Sequence, residues 1–160
     1  MWNRPSAAGS VASSTGVNQG TISYAEQYRV PFGDTDAAGV VFYPNYYRWF
    51  DRMTHELFRS IGQPLAAFTE ANQAPVLAET GCRFLTSARY DDLLVLKVTV
   101  AEVRTRSFRL EHEVSRDGAA VASGFEVRIW VELADGSVGA IQIPDSVTAA
   151  LKPQVQLRGV

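Results

Sequence analysis

The chain has one cysteine, Cys82, and two histidines, His55 and His112. A lone cysteine excludes an internal disulfide and any site built on several thiolates. Two histidines 57 residues apart in sequence, by subtraction of their numbers, offer no basis for a histidine-based metal centre. There is no run of about 18 apolar residues, so no membrane-spanning helix is expected, and the first residues lack the apolar stretch of a secretion signal. Charge is almost balanced, 15 basic against 17 acidic residues for a net of −2, which argues against nucleic acid as the main partner. Lysine is nearly missing: Lys97 and Lys152 are the only two. The basic side chains are therefore almost all arginine, which grips planar anions such as phosphate well, although a bias of genome composition gives the same signature. What remains is the expectation of a soluble, cytoplasmic protein, with 160 residues suiting one domain with a real core.

What the chain does have is a compact stretch of unusual character at residues 33–61. Residues 33–43 form a tight loop bearing Asp34, Asp36 and two glycines, and residues 44–61 read as a helix. Tyr46, Phe50, Met53, Leu57 and Ile61 recur at helical spacing, with Trp49 and Phe58 widening the stripe. Pro44 suits the first turn and Gly62 the position just past the end. An acidic loop thus runs into a helix start, where unpaired N–H groups and the positive end of the helix dipole gather. A carboxylate beside such donors is a minimal kit for attacking a carbonyl and holding the oxyanion that results.

The flanking pattern is simpler. Residues 1–20 are rich in Ser, Ala, Gly and Asn and read as a disordered tail, residues 21–152 as the domain, and 153–160 as a second tail. Strands are expected at 22–32, 75–86 (Gly81 marking a bulge), 93–104, 108–115, 121–133 and 137–143, with a short helix at 144–151. Asp117-Gly118 and Asp135-Gly136 are hairpin signals. In 121–133 the alternation places Phe125, Val127, Ile129, Val131 and Leu133 inward, and Glu126, Arg128 and Glu132 outward. One long helix and a run of strands joined by short turns define an α+β fold with an antiparallel sheet.

Several side chains are candidates for chemistry. Asp34 reads as turn chemistry. Asp36 is followed by small and then greasy residues, so its carboxylate is expected to be partly desolvated and directed at a substrate. Asp51 and His55 stand four apart on the helix, a spacing that more often makes a surface ion pair than an acid–base dyad. His112 keeps register with Phe108, Leu110 and Val114, as a core or interface histidine would, and Cys82 reads as a small buried residue. Arg104, Arg106 and Arg109 cluster at a hairpin, as solvated charge or as a docking point for a phosphorylated ligand.

The segment Phe-Gly-Asp-Thr-Asp-Ala-Ala-Gly-Val-Val-Phe-Tyr-Pro-Asn-Tyr, residues 32–46, closely resembles the signature of the 4-hydroxybenzoyl-CoA thioesterase family. The likeness continues through Trp49-Phe50-Asp51 and returns at Tyr90-Asp91-Asp92 and at residues 104–108. It implies a hotdog fold: a curved antiparallel sheet of five to six strands wrapped around one long helix, assembled as a homo-oligomer, a dimer of dimers. It implies hydrolysis of an acyl-CoA thioester, with no metal and no cofactor beyond the coenzyme A of the substrate itself. Asp36 matches the catalytic carboxylate, nucleophile or general base, and Tyr43 the residue whose backbone N–H polarises the thioester carbonyl. Arg104 and Arg106 match positions that hold CoA phosphates. Gly39, Val41, Phe42, Asp51 and Ser107, within the matched stretches, complete the candidate substrate contacts. Thr105 stands where the best-known members are basic. The tryptophan bordering their aromatic acyl pocket is replaced near Ala66. Either a 4-hydroxybenzoyl- or benzoyl-type aromatic group or a short acyl group is therefore open. The alternatives are an acyl-ACP thioesterase and a non-catalytic acyl-CoA-binding protein.

Overall fold

The computed structural model describes residues 14–18 and 21–152. Its elements are β1 (Ser14–Asn18), β2 (Thr21–Arg29), α1 (Pro44–Ser60), α2 (Leu65–Glu70), β3 (Gln73–Phe84), β4 (Leu93–Val103), β5 (Ser107–Arg116), β6 (Ala119–Ala134), β7 (Ser137–Ala140) and α3 (Asp145–Leu151). The strands make one antiparallel sheet in the order β1-β2-β4-β5-β6-β3, with β7 added to the far end of β6. This is the hotdog architecture, a long helix lying across a sheet. β1 falls inside the stretch read as a tail: its backbone pairs with β2 from Ser14↔Ala25 to Asn18↔Thr21. Residues 1–13 and 153–160 lie outside the described residues.

α1 forms where the apolar stripe predicts it. Tyr46, Trp49, Phe50, Met53, Leu57 and Phe58 are buried against the sheet, and transfer of each such side chain from water contributes on the order of 1.5–3 kcal/mol. The hairpins turn as their sequences dictate. Asp117-Gly118 and Asp135-Gly136 all adopt positive φ, the paired left-handed conformation that two-residue hairpin loops need.

Two expectations are corrected in the sheet. The bulge in β3 falls between Leu77 and Glu79, opposite Arg128 and Val127, and not at Gly81. Gly81 instead leaves room for Phe125, whose ring would lie 2.7 Å from an added Cβ. From Gly124 to Trp130 the facing of β6 is also the reverse of the alternation read from its apolar residues, while Val131 is buried and Glu132 exposed, as expected. Phe108, Leu110 and His112 of β5 lie opposite Arg128, Glu126 and Gly124 of β6. The even-numbered residues of β6 therefore face α1, which buries Glu126 and Arg128 beside Trp130. Phe125, Val127 and Ile129 lie half-buried on the other side of the sheet.

Candidate active site

The loop between β2 and α1 is built by its own backbone. Gly39 N–H donates to Asp36 O at 2.9 Å and Asp36 N–H to Val40 O at 2.9 Å. Gly39 takes φ +71°, so the loop is a tight turn closed by a left-handed glycine. Thr35 and Val41 bridge across it. Phe42 N–H donates to Asp34 O at 2.8 Å, and Val41 N–H donates to Ala88 O at 2.8 Å, tying the loop to the segment before β4. Asp36 lies in the first position of this turn, and its Oδ1 accepts the Ala38 N–H at 2.8 Å. Contrary to the expectation of partial desolvation, Asp36 is exposed in the single chain, its carboxylate turned onto the Ala38 N–H of its own loop and not packed against the core.

Asp34 has a structural task. Its Oδ2 accepts the Tyr28 hydroxyl at 2.7 Å, and its carbonyl accepts Asn45 Nδ2 at 2.9 Å. Burial first, and then this bond to Asp34, raise the Tyr28 hydroxyl above its ordinary pKa.

The helix start follows directly. Tyr43 precedes Pro44 with helical angles and no side-chain cap. Asn45 N–H donates to Phe42 O and Tyr46 N–H to Tyr43 O, and Pro44 has no N–H. Among the described residues the Tyr43 N–H has no acceptor, so this helix terminus offers one unsatisfied donor at its positive end. Beside it opens a cleft of about 280 Å³ lined by Val40, Val41, Tyr43, Tyr46, Phe84 and residues 85–88. Phe84 meets the Tyr46 ring at 5.1 Å and the Tyr43 ring at 6.5 Å. Asp36 and Gly39 are outside this lining, and Phe42 projects half-exposed against the Tyr43 ring at 5.4 Å. Cys82, behind the cleft, is partly buried, and burial pushes its thiol up to about 11, keeping it protonated.

Further along α1 is a second cavity, of about 440 Å³, lined by Tyr47, Arg48, Asp51, Leu77, Thr80 and Glu126. Asp51 is 57% exposed and 4.0 Å from His55, the spacing of a loose surface pair. Its closer partner is Arg128, whose Nη2 donates to Asp51 Oδ1 at 2.7 Å. Arg128 in turn grips Glu126 twice, from Nε at 3.0 Å and Nη2 at 2.9 Å, and the Thr54 hydroxyl donates to Glu126 at 2.6 Å. His112 stacks on Phe50 and lies 3.5 Å from the same carboxylate. Sequence reasoning missed Glu126, Arg128 and Thr54. The available signal was that Glu126 and Arg128 share their parity along β6 with Trp130.

The hairpin arginines lie elsewhere. Arg29 of β2 pairs with Leu93 at the start of β4, and Val30 N–H donates to Asp92 O, so the Asp36 loop sits at that end. Arg104, Arg106 and Ser107 sit past the other end, roughly 30 Å away along an extended strand. Arg104 is 69% exposed and pairs with Glu102 at 2.8 Å, and that bond raises its pKa. Arg109 pairs with Glu111 and lies over the Phe125 ring at 4.1 Å. Within one chain the structure brings Asp36, Gly39, Val41, Phe42 and Tyr43 together, places Asp51 two turns further along α1, and leaves Arg104 and Arg106 apart.

This loop, helix start and wrapped sheet define a hotdog protein with its candidate site at the N-terminus of the long helix. The chain belongs to the thioesterase-like superfamily, whose model matches residues 30–151. It is 32% identical over 130 residues to the 4-hydroxybenzoyl-CoA thioesterase of Pseudomonas sp. (strain CBS-3), covering 76% of this chain and 92% of that enzyme. Among solved structures, a gentisyl-coenzyme A thioesterase superposes with a TM-score of 0.72 at 35% identity, over 78% of this chain and 98% of the other. A 4-hydroxybenzoyl-CoA thioesterase with an Asp-to-Asn substitution, complexed with 4-hydroxybenzoyl-CoA, superposes with a TM-score of 0.75 at 29% identity, over 81% and 99%. No helix among the described residues is long and apolar enough to cross a membrane.

Proposed function

We propose that this chain is an acyl-CoA thioesterase that releases a free acid and CoA, with Asp36 as the catalytic carboxylate. The observation that carries the reading is the unengaged Tyr43 N–H at the start of α1, beside a cleft walled by Tyr43, Tyr46 and Phe84 and a few residues beyond an exposed carboxylate. In one route Asp36, as general base, takes a proton from the water that adds to the thioester carbonyl; in the other the Asp36 carboxylate itself adds, the CoA thiolate is expelled as an acyl–Asp36 anhydride forms, and water then hydrolyses that anhydride to the free acid. The carbonyl oxygen becomes an oxyanion that the Tyr43 N–H stabilises, and the C–S bond breaks. A thiolate leaves readily, so no acid partner is required. The reaction consumes water alone and uses no cofactor.

The acyl group we propose is aromatic, of the benzoyl or hydroxybenzoyl type, or short. The aromatic wall of Tyr43, Tyr46 and Phe84 favours a ring, as do the aroyl-CoA substrates named for two relatives. Gly39, Val41 and Phe42 are assigned to the mouth, and Asp51 to the second cavity along α1. Arg104, Arg106 and Ser107 are assigned to the CoA nucleotide. Their distance from Asp36 calls for a second copy to bring its hairpin to this loop. β3 is a 12-residue edge strand exposing Val76, Leu77 and Phe84, the kind of edge that assembly covers. We propose a homo-oligomer, a dimer of dimers, and a monomer by light scattering at micromolar concentration would contradict it. The activity itself is tested with one panel of acyl-CoA and acyl-ACP thioesters and thiol detection. Turnover of aroyl-CoA is expected. Turnover of acyl-ACP alone moves the carrier assignment, and binding without turnover of any thioester overturns the enzymatic reading.

A further inference from the structure

Residues 85–92, between β3 and β4, belong to no helix or strand. The first four line the cleft, and the segment also carries the carbonyl that holds the candidate loop. A stretch without ladder partners is ordinarily mobile. Here side chains take the place of the ladder. Arg116, the last residue of β5, donates from Nη1 to Ser87 O at 3.3 Å and to the Asp92 carboxylate. Asp92 Oδ2 also accepts the Arg89 N–H at 2.8 Å. The side chain of Asp92 is 23% exposed and that of Arg116 34%, so water screens the pair only in part.

The bonds continue through two peptide units. A trans peptide sets its N–H and C=O on opposite sides of one plane, so a bond at one end orients the other. The Arg89 N–H and the Ala88 carbonyl belong to one such unit, and Ala88 O accepts the Val41 N–H at 2.8 Å. The Val41 N–H and the Val40 carbonyl belong to the next, and Val40 O accepts the Asp36 N–H at 2.9 Å. Ala88 is 1% exposed and Val41 6%, so water competes little for the middle bond. The run that begins at Arg116 therefore ends on the backbone of the candidate catalytic residue. An ionised acceptor strengthens the first bond, and bonds in series polarise one another. A second ion pair in the same turn stands outside the run. Arg29 binds the Asp91 carbonyl at 2.8 Å and its carboxylate at 3.2 Å, and neither group bonds to the loop among the described residues.

We propose that Asp92, oriented by Arg116, is a positioning residue for Asp36. Through the Ala88–Arg89 and Val40–Val41 peptides it fixes the turn on which that carboxylate stands, and so sets where the carboxylate meets the thioester. The role rests on the thioesterase reading for its chemistry.

The test uses the full chain and an aroyl-CoA substrate, with kcat counted per folded protein. Asp92→Ala removes the acceptor. It should lower kcat by about tenfold or more, since a misplacement of about 1 Å can cost about a hundredfold, and should leave KM within about threefold. Asp92→Asn keeps an oxygen for the Arg89 N–H and should recover most of kcat. Arg116→Met should lower kcat by about threefold or more, whereas Arg29→Met, which loosens the same turn outside the run, should not. Amide hydrogen exchange gives a readout independent of activity. In Asp92→Ala the Asp36 and Val41 amides should exchange about tenfold faster or more, with the amides of β5 at their wild-type rates. A lower melting temperature with kcat unchanged would make Asp92 merely structural and overturn the proposal. Equal losses in Arg29→Met and Arg116→Met, or unaltered exchange at Asp36 and Val41, overturn it too. Should Asp92→Ala not fold, Arg116→Met against Arg29→Met decides by the same two readouts. Wild type that hydrolyses no thioester would sink the thioesterase reading, and the exchange rates would then decide the positioning role by themselves.

Discussion

Phe50 packs directly against Gly124: a methyl group on Gly124 would lie 2.3 Å from Phe50 Cε2 and 2.6 Å from the Gly81 carbonyl oxygen. The absence of a side chain there lets α1 sink onto the sheet and lets Phe50 stack on His112 at 4.5 Å.

Gly124→Ala should therefore destabilise the protein, by roughly 1–3 kcal/mol as overpacked cores do. A thermal melt several degrees lower is the expected result. Gly139, with nothing within 4 Å of an added Cβ, serves as the control, and Gly139→Ala should melt near wild type. Equal melting of the two variants would mean the helix has room to lift.

The buried network makes an acid-stability prediction. Burial pushes the Glu126 carboxyl up, but His112 at close range, the hydrogen bonds and charge of Arg128 and the Thr54 hydroxyl outweigh it. The carboxyl is held down at about 2, against 4.5 ordinarily. A folded-state value below the unfolded one stabilises the protein above about pH 4.5, and that contribution is lost as pH falls toward 2. Its size is roughly 3 kcal/mol. Urea unfolding at pH 7, 4 and 3 should show the loss, and Glu126→Gln should flatten this acid limb. The same slope in both proteins would remove Glu126 as its source.

How much of this was legible beforehand divides along physical lines. Local chemistry was readable. The two Asp-Gly turns, Pro44 at the start of α1 and its apolar stripe depend on neighbours in sequence, and each appears where expected. The facing of β6 was not readable from its own residues, because Phe125, Val127 and Ile129 advertise a core face while Glu126 and Arg128 compensate each other only after folding. Their pairing with β5, through Leu110↔Glu126 and Phe108↔Arg128, decides the matter, and register between strands is a tertiary fact. In the candidate site, Asp36 and Tyr43 were nominated together because one short motif carries both. The separation of that motif from Arg104 emerged only from strand order.

Asp36→Asn is the direct test of the catalytic assignment. An asparagine still offers Oδ1 to the Ala38 N–H that Asp36 accepts at 2.8 Å, so the turn should survive. What is lost is the charge needed for nucleophilic or base chemistry, and kcat should fall by about a hundredfold or more. Turnover close to wild type would take Asp36 out of the mechanism.

The hairpin arginines test the CoA assignment separately. Arg104 and Arg106 stand two residues apart around the turn between β4 and β5, so both can reach one phosphate-bearing group. Arg104 is already paired with Glu102 at 2.8 Å, but an exposed pair of this kind is worth little and yields readily to a phosphate. Contacts far from the reacting carbonyl act alike on ground and transition states, so they set KM and leave kcat alone. Arg104→Glu with Arg106→Glu should raise KM for acyl-CoA clearly, with kcat changed little. The penalty should vanish with an acyl-pantetheine thioester, which lacks the nucleotide phosphates. In wild type, KM should rise with salt for the CoA ester and not for the truncated one, since screening acts over about 8–10 Å near physiological ionic strength. Because the hairpin lies roughly 30 Å along β4 from the Asp36 loop, the proposed assembly makes a second prediction. An inactive Asp36→Asn chain mixed with the double-arginine variant, under conditions that exchange subunits, should form sites joining an intact loop to an intact hairpin. Those sites should recover part of the low KM. If the double variant handles both substrates as wild type does, the two arginines are solvated charge, and the CoA nucleotide binds elsewhere on the protein.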